Sequence, residues 1–217
     1  MTVLRLGRRQ YREVLALQRA AHAALVAGEG PETLVVCEHE PTITLGRAAK
    51  PEHVLASPKR LAARGIDVVR VERGGDATYH GPGQLVAYPI LRLQSFRDVV
   101  PVVGALERAA IATCAAFGVV AGTRREHRGA YVGDDAIAAV GLAVRGLATL
   151  HGIALDVAVP AHAEATIVPC GMPAFGTVSL ARASGRRLDV KEVEPIFVRE
   201  LLSALERAAG GTLSSAA

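Results

Sequence analysis

The spacing of the short apolar segments constrains the fold of this chain more than any other feature. Residues 34–39 and 42–45 are separated only by a Glu-Pro turn, and residues 131–144 and 150–157 only by a turn at Arg145-Gly146. Parallel strands need a crossover of a dozen or more residues, and these spacings are too short for one, which favours largely antiparallel sheets. Two further strands are predicted over residues 67–72 and 85–90. The pattern predicts an α+β fold with mixed, largely antiparallel sheets and flanking helices.

Helical patterns occupy the longer segments between these strands. Residues 8–27 show an amphipathic repeat, and helices over residues 59–64 and 99–117 are predicted to stop at Gly65 and Gly118. A closing helix is predicted over residues 189–209, where Asp189 and Glu192 have capping-box spacing. We expect one domain over residues 1–209, followed by a frayed tail at residues 210–217.

Composition narrows the class of protein. Half of the 217 residues are apolar, so a sizeable core is available. No uninterrupted apolar stretch reaches the roughly 20 residues of a membrane span, and the N-terminus lacks the apolar block of a secretory signal. We therefore expect a cytoplasmic protein that does not bind membranes.

The charge balance is mildly basic. The net charge is +4, and the only lysines are Lys50, Lys59 and Lys191, so arginine carries most of the positive charge. An arginine-rich surface suits an acidic protein partner or simply a solvated surface. Nucleic-acid binding is not expected, because the chain has no Trp, few other aromatic residues and no recognised nucleic-acid-binding motif.

Three cysteines, Cys37, Cys114 and Cys170, are an odd number without CxxC spacing, which argues against a disulfide framework and a structural zinc site. Cys37 and Cys114 lie inside an apolar strand and a helix that are predicted to be core. Cys170 lies between Pro169 and Gly171 on a predicted turn, where its sulfur can face a pocket. It is either a structural thiol or a nucleophile, and a thiolate attacks thioesters readily.

Two further segments carry candidate chemistry. The sequence RGGDATYHGPGQ, residues 73–84, is a glycine-rich loop between strands whose backbone can approach a ligand closely, unless it is an ordinary long turn. It lacks the spacing of a dinucleotide fingerprint and the lysine of a phosphate loop. The sequence HGIALD, residues 151–156, places His151 beside small residues that leave room for a slender apolar chain.

Together these segments resemble one family, the lipoyl(octanoyl) transferases of lipoate biosynthesis. That family has RGGxxTxHGPGQ, KIAAIG, HGxALN and PCG motifs in the same order as this chain's segments at 73–84, 136–141, 151–156 and 169–171. The segment at 38–47 is similar to the family's EHxPxxTxGR. The resemblance covers most of the chain and implies the α+β fold of biotin and lipoate protein ligases.

The resemblance also implies a reaction in two halves that needs no cofactor or metal. Cys170 takes an octanoyl group from octanoyl-acyl carrier protein, and a lysine of an acceptor protein then receives it as an amide. The implied acceptors are lipoyl domains of 2-oxoacid dehydrogenases and the glycine-cleavage H protein, and both carrier and acceptors are acidic. Thr78, His80 and His151 would lie nearest the reacting carbonyl. The residues implied to bind substrate are Arg73, Gly74, Gly75, Asp76, Ala77, Thr78, Tyr79, His80, Ala139, Val140, Gly141, His151, Gly152, Ile153 and Ala154.

Three places depart from the family pattern, and one of them is Thr177-Val178-Ser179, where the family tends to have Val-Thr-Ser. Ala136 occupies the place of the family lysine that activates the thiol, and Asp156 occupies the place of the usual asparagine. Without the lysine, Cys170 is expected to be a poorer nucleophile, because acid–base assistance typically supplies about 10²–10⁴-fold in rate. The chain is a substituted variant, a member in which His80 or His151 acts as the base, or a relative that binds without catalysing.

Two other functions stay open from the sequence. One is an ATP-dependent lipoate or biotin protein ligase of the same fold, which needs no cysteine. The other is a non-catalytic protein that binds acyl chains or acyl carrier protein. Acylation of Cys170 without ATP would separate the transferase from both.

Overall fold

A computed structural model describes residues 1–125, 127–160, 166–168 and 176–213. The strands are β1 (Thr2–Arg9), β2 (Thr33–His39), β3 (Thr42–Leu45), β4 (Asp67–Arg70), β5 (Ala77–His80), β6 (Gln84–Ile90), β7 (Gly129–Val132), β8 (Asp135–Arg145) and β9 (Ala148–Asp156). The α-helices are α1 (Tyr11–Ala27), α2 (Pro58–Ala63), α3 (Val99–Ala116), α4 (Leu180–Ser184) and α5 (Val190–Leu213).

The strands form two sheets. The larger has the order β1-β2-β6-β9-β8-β7, and the smaller has the order β4-β3-β5. Only β1 with β2 and β3 with β4 pair in parallel; the other described pairs are antiparallel. The predicted α+β class with mixed, largely antiparallel sheets is confirmed.

The larger sheet is buried on both faces because its central strands are apolar at consecutive positions. Leu34 and Val36 of β2 join the cluster that includes α3 and α5, whereas Val35 and Cys37 join the cluster that includes α1. Alternate side chains of a strand point to opposite faces, so a continuous apolar strand packs against helices on both sides.

The predicted elements are largely present, with four differences in addition to the closing helix, which extends to Leu213, four residues into the predicted tail. Residues 2–9 form β1, so the first helix begins at Tyr11 rather than at residue 8. Residues 77–80, predicted as loop, form β5, and residues 131–144 form parts of two strands because a turn at Gly133-Asp134 interrupts them. Helix α4 was not predicted. The predicted cap of α5 is present, since the Asp189 carboxylate accepts from the Glu192 N–H at 2.9 Å.

One helical stretch among the described residues, Phe96–Ala116, is long and apolar enough to span a membrane by length and composition. It contains α3, which contributes Ala105, Leu106, Ala109 and Ala110 to the core shared with α5. A core helix passes the same test of length and apolarity as a membrane span. The stretch therefore carries no independent argument about membranes.

Candidate functional site

The glycine-rich loop is held in place by backbone hydrogen bonds on two sides. The Gly74 N–H donates to the Leu142 carbonyl of β8 at 3.0 Å, and the Arg47 N–H donates to the Arg73 carbonyl at 3.1 Å. Gly75 has φ +82°, a left-handed conformation that favours glycine. A Cβ on Gly46 would lie 2.4 Å from the Gly75 carbonyl oxygen, so the two segments approach too closely for any side chain there.

A cavity of about 330 Å³, which we term the motif cavity, lies where the two sheets meet. It brings together residues of the loop, β5, β8 and β9 that are distant in sequence. Tyr11 of α1 and Tyr88 of β6 also line it, as do Val99, Val103, His127 and Arg128. The predicted substrate-binding residues that line it are Arg73, Gly74, Gly75, Asp76, Thr78, His80, Ala139, Val140, Gly141, His151, Gly152 and Ala154.

Three residues predicted to bind substrate do not line the motif cavity. Ile153 is 1% exposed and packs into the core with α3 and α5, because strand alternation turns it away from its neighbours Gly152 and Ala154. Ala77 and Tyr79 alternate in the same way with Thr78 and His80 and pack beneath the smaller sheet. For these three side chains the structure does not agree with the prediction of direct contact inside this cavity.

A second, smaller cavity of about 50 Å³ adjoins the first, and we term it the side cavity. Thr78, Ala139 and Ala154 line both cavities. The side cavity also contains the position of the family lysine, Ala136, together with Asp156. Its remaining lining residues are Ala77, Tyr79, Gln84, Ala138, Ile167 and Thr177.

Arg73 is a buried cation, 7% exposed, at the loop's first position. Its Nη2 donates to the Thr44 carbonyl at 2.9 Å and to Thr44 Oγ1 at 2.7 Å, and its Nη1 donates to the Gly74 carbonyl at 3.0 Å. These bonds hold the guanidinium at the edge of the motif cavity. No pattern in the sequence predicts Thr44 as the partner of Arg73.

His151 is a buried histidine in a strained backbone conformation, with φ +62° and 1% exposure. Its N–H donates to Gln18 Oε1 at 3.1 Å, whereas neither ring nitrogen makes a hydrogen bond within the described part of the chain. The carboxylate oxygen Glu72 Oε2 lies 3.6 Å from Nε2, beyond hydrogen-bond distance. Burial lowers the pKa of His151 to about 4, so the ring is neutral at pH 7 and can bond a ligand in the motif cavity.

Two further histidines of this region, His39 and His80, lie in a buried polar cluster with two tyrosines. His39 Nε2 lies 2.7 Å from Tyr88 Oη, and the ring of His80 stacks on Tyr11 with centroids 5.6 Å apart. Burial lowers the pKa of His39 to about 4 and that of His80 well below its usual value. The cluster is therefore neutral at pH 7, and its members Tyr11, His80 and Tyr88 line the motif cavity.

Of the three cysteines, two are fully described. Cys37 and Cys114 are 2% and 0% exposed, which confirms them as core residues. Burial raises the pKa of both thiols, that of Cys114 to about 12, so neither is a competent thiolate at neutral pH. Cys170 lies outside the described residues. Among the described residues, no group of three His, Cys, Asp or Glu side chains is placed to hold a metal ion.

Comparisons with known proteins identify the family of this chain. The model of the lipoyl protein ligase A/B catalytic domain matches residues 10–202. An octanoyltransferase of Chloroflexus aggregans is 40% identical over 206 residues, covering 93% of each chain. An octanoyltransferase of Myxococcus xanthus is 41% identical over 201 residues, and the matched region spans only 56% of that longer protein.

A solved structure supports the same fold. Lipoate-protein ligase A bound with ATP superposes with a TM-score of 0.78 and 18% identity, covering 94% of this chain and 85% of the ligase. At that identity the similarity shows the fold alone, and it confirms the predicted ligase-like architecture. The sequence relatives and the family model go further: the chain belongs to the octanoyltransferases, within the family of lipoyl protein ligase A/B catalytic domains.

Proposed function

We propose that this chain transfers an octanoyl group from octanoyl-acyl carrier protein to a lysine of a lipoyl domain, through a thioester on Cys170. The observation that carries the proposal is the motif cavity, because residues of three family motifs line this one cavity. Its volume of about 330 Å³ is at the small end for ligand pockets, which suits a slender chain.

The wall of the cavity suits an acyl chain. Ala139 and Gly141 of β8 face the cavity beside their partners Ala154 and Gly152 of β9. These four residues have little or no side chain, so they form a flat apolar surface along which methylene groups can lie. Burial of each methylene group stabilises binding by about 0.8 kcal/mol.

Polar groups converge at the same cavity and suit the carbonyl of a thioester. Thr78, His80, His151 and Arg73 all line it. Because His151 is neutral and its ring nitrogens make no hydrogen bond within the described part of the chain, an N–H of the ring can donate to a developing oxyanion. All four residues belong to the two sequence motifs at 73–84 and 151–156 that were predicted to bind substrate.

Cys170 is proposed as the nucleophile for two reasons. It stands in the PCG motif, and the other two thiols are buried with raised pKa values. The buried free thiols Cys37 and Cys114 also suit a reducing compartment, so we place the reaction in the cytoplasm. The proposed acceptors are lipoyl domains of 2-oxoacid dehydrogenases and the glycine-cleavage H protein.

The test is intact mass spectrometry of the protein mixed with octanoyl-acyl carrier protein in the absence of ATP. We expect one octanoyl adduct, which transfers to an added lipoyl domain. The Cys170→Ser variant should form no thioester, whereas Cys37→Ala and Cys114→Ala variants that remain folded should still be acylated.

Two outcomes would contradict the proposal. Absence of any adduct at raised pH, where the thiolate forms unaided, would leave no acyl-enzyme. Pyrophosphate release from ATP and octanoate, followed by transfer to the lipoyl domain, would instead identify an ATP-dependent ligase, the second function that this fold accommodates.

A further inference from the structure

The motif cavity reaches the protein surface between the glycine-rich loop and α3. Among its lining residues, Gly75 of the loop and Arg128, just before β7, are exposed, and the others are half-buried or buried. Val99 and Val103 of α3 are two of the half-buried ones, so this helix borders the opening. A ligand therefore enters the cavity past Gly75, Arg128 and the first turns of α3.

Exposed apolar side chains continue from this opening along α3. Val100 directly follows Val99 and is 65% exposed, and Phe96, four positions before Val100, is 68% exposed. Phe96 belongs to the short 3₁₀ helix Phe96–Asp98 that leads into α3, and residues four positions apart lie on the same side of a helix. Two large apolar side chains beside the mouth of an apolar cavity indicate a surface that contacts a partner.

Arginines flank these apolar residues. Arg97 and Arg108 are exposed, and neither side chain makes a hydrogen bond or ion pair with any other described residue. A Cβ on Gly104 would lie 3.1 Å from Arg108 Nη1, so this guanidinium lies back over the preceding turn of α3. The Arg128 side chain is 56% exposed, and its Nη1 lies 3.9 Å from Glu107 Oε2. Three positive charges therefore lie beside the apolar pair.

A fourth arginine lies on the loop side of the opening. The Arg47 N–H donates to the Arg73 carbonyl at 3.1 Å, and the Ala48 N–H donates to the Gly75 carbonyl at 3.1 Å. The Arg47 side chain is exposed and has no hydrogen bond or ion pair within the described part of the chain. We term the set formed by these apolar and basic side chains the mouth surface: Phe96, Val100, Arg47, Arg97, Arg108 and Arg128.

The carboxylates close to the mouth surface are directed inward or toward backbone groups. Glu107, the one acid within α3, is 4% exposed and accepts from the Gly129 N–H at 3.1 Å. Asp98 accepts two backbone N–H bonds, at 2.8 and 2.9 Å. Asp76 Oδ2 lies 2.6 Å from His53 Nδ1. The charges that face solvent at the mouth surface are therefore positive, and they complement an acidic partner.

We propose that the mouth surface docks the acyl donor, through an acidic face of the carrier protein that presents apolar side chains to Phe96 and Val100. The inference rests on the transfer reaction proposed above and assigns the donor a binding place on this chain. Octanoyl-acyl carrier protein bound there delivers its acyl chain to the motif cavity over Val99 and Val103. The arginines accelerate the encounter, and the apolar contact holds the complex together.

The same surface suits the donor better than the acceptor. An octanoyl chain is apolar, so it passes from the carrier along Phe96, Val100 and Val99 into the cavity with little exposure to water. An acceptor presents the ammonium group of a lysine, and the arginines at the mouth repel this like charge. The mouth surface is therefore assigned to the first half of the reaction, in which the chain takes up the acyl group.

Charge reversal in the full chain tests the assignment. The double variant Arg97→Glu with Arg108→Glu changes two exposed side chains that do not line the motif cavity. Octanoylation from octanoyl-acyl carrier protein, followed by intact mass spectrometry, should slow about tenfold or more, because a repelled partner associates more slowly. Octanoylation from octanoyl-N-acetylcysteamine, which carries no protein, should stay within about twofold of the unsubstituted rate. At about 1 M salt, where charges are screened beyond about 3 Å, the two rates with the carrier should converge.

The matched control is the double variant Arg60→Glu with Arg64→Glu, at exposed positions at the end of α2 that do not line the motif cavity. It makes the same change in net charge and should lower the rate with the carrier by less than about threefold.

The apolar part of the mouth surface is tested by Phe96→Ser and Val100→Ser. Each variant should weaken the binding of fluorescently labelled octanoyl-acyl carrier protein, measured by anisotropy, at low and at high salt. The rate with octanoyl-N-acetylcysteamine should again stay within about twofold, because this donor needs no docking surface.

Four results would overturn the inference. Equal slowing with both donors would show that the substitutions disturb the cavity itself, and equal slowing by the control pair would show that net charge alone is recognised. A normal rate of acylation from the carrier would show that the carrier docks elsewhere. Normal acylation with slower transfer from a preformed acyl-enzyme to a lipoyl domain would assign the mouth surface to the acceptor.

The two donors also separate this inference from the proposed function. If neither donor octanoylates the unsubstituted chain, the transfer reaction fails and the docking of a donor fails with it. If both donors octanoylate the unsubstituted chain and the variant with Arg97→Glu and Arg108→Glu equally well, only the docking surface is wrong.

Discussion

The histidines His39, His80 and His151 at this site are neutral at pH 7 because they are buried. His39 and His151 both have a pKa near 4, compared with the usual 6.5, and for both the main cause is burial. Glu72 is the contrasting case: burial would raise its pKa, but hydrogen bonds from Arg19 and its own backbone, with charge from His151, lower the pKa to about 2. The stability of the fold therefore depends on pH through the protonation of these individual residues.

The first prediction at this scale concerns the loss of folding stability at acidic pH. The unfolded chain protonates His151 near pH 6.5, whereas the folded chain resists protonation until about pH 4. Stability that is present above pH 6.5 is therefore lost as the pH falls through this window, by up to about 3 kcal/mol. Urea denaturation of His151→Asn should show a smaller loss between these pH values than the unsubstituted chain.

Asparagine is the appropriate replacement because it tolerates the left-handed backbone at position 151. The matched control, His22→Asn, lies at a partly buried position of α1 and tests the loss of a histidine elsewhere. Equal pH slopes for His151→Asn and the unsubstituted chain would show that His151 titrates alike in the folded and unfolded states.

Among the elements, the β8–β9 hairpin forms the wall of the motif cavity. Gly141 and Gly152 are directly opposed in this pair, and β9 also pairs with β6. A Cβ on Gly152 would lie 2.1 Å from the Ala87 carbonyl oxygen of β6. The close approach of β6 and β9 therefore requires glycine at this position.

The element-scale prediction is that Gly152→Ala destabilises the fold by more than about 2 kcal/mol, because two backbone strands must separate to admit the methyl group. The control is Gly122→Ala, where a Cβ would meet no atom within 4 Å, and the expected change is below about 0.5 kcal/mol. Chemical denaturation of both variants measures the difference. Similar free energies of unfolding would show that the sheet adapts to the methyl group.

At the scale of the whole molecule, the meeting of the two sheets forms the motif cavity, and the chain carries a net positive charge. The motif cavity exists only because the smaller sheet meets the larger one, and Arg128 lines it alongside His127. The net charge is +4 with only three lysines. A positive surface raises the rate of encounter with acidic carrier proteins.

This charge predicts that transfer from octanoyl-acyl carrier protein slows as ionic strength rises past about 0.15 M, where screening acts beyond about 8 Å. Octanoyl-N-acetylcysteamine carries the same thioester without an acidic protein, so its rate should barely change. Parallel single-turnover assays across a salt series give the comparison. Equal salt dependence for the two donors would show that the arginine-rich surface does not contribute to recognition of the carrier protein.

Local patterns in the sequence determined the class of fold and the ends of several elements. The short spacing around Arg145-Gly146 corresponds to the antiparallel pair of β8 and β9. Gly65 and Gly118 follow their helices with φ values of +64° and +77°. The order of the motifs also identified the family. These signals are readable because each depends on neighbours in sequence.

Other features depend on contacts between distant segments, and only the tertiary structure decided them. Strand β1 is partly exposed and lacks a clear apolar alternation, but it becomes a strand by pairing with β2, and β5 does so by pairing with β3. The link from Gln84 to Asp156 likewise crosses 72 positions of sequence. Periodicity and propensity describe neighbours along the chain, whereas hydrogen bonds across a sheet depend on which strands lie side by side.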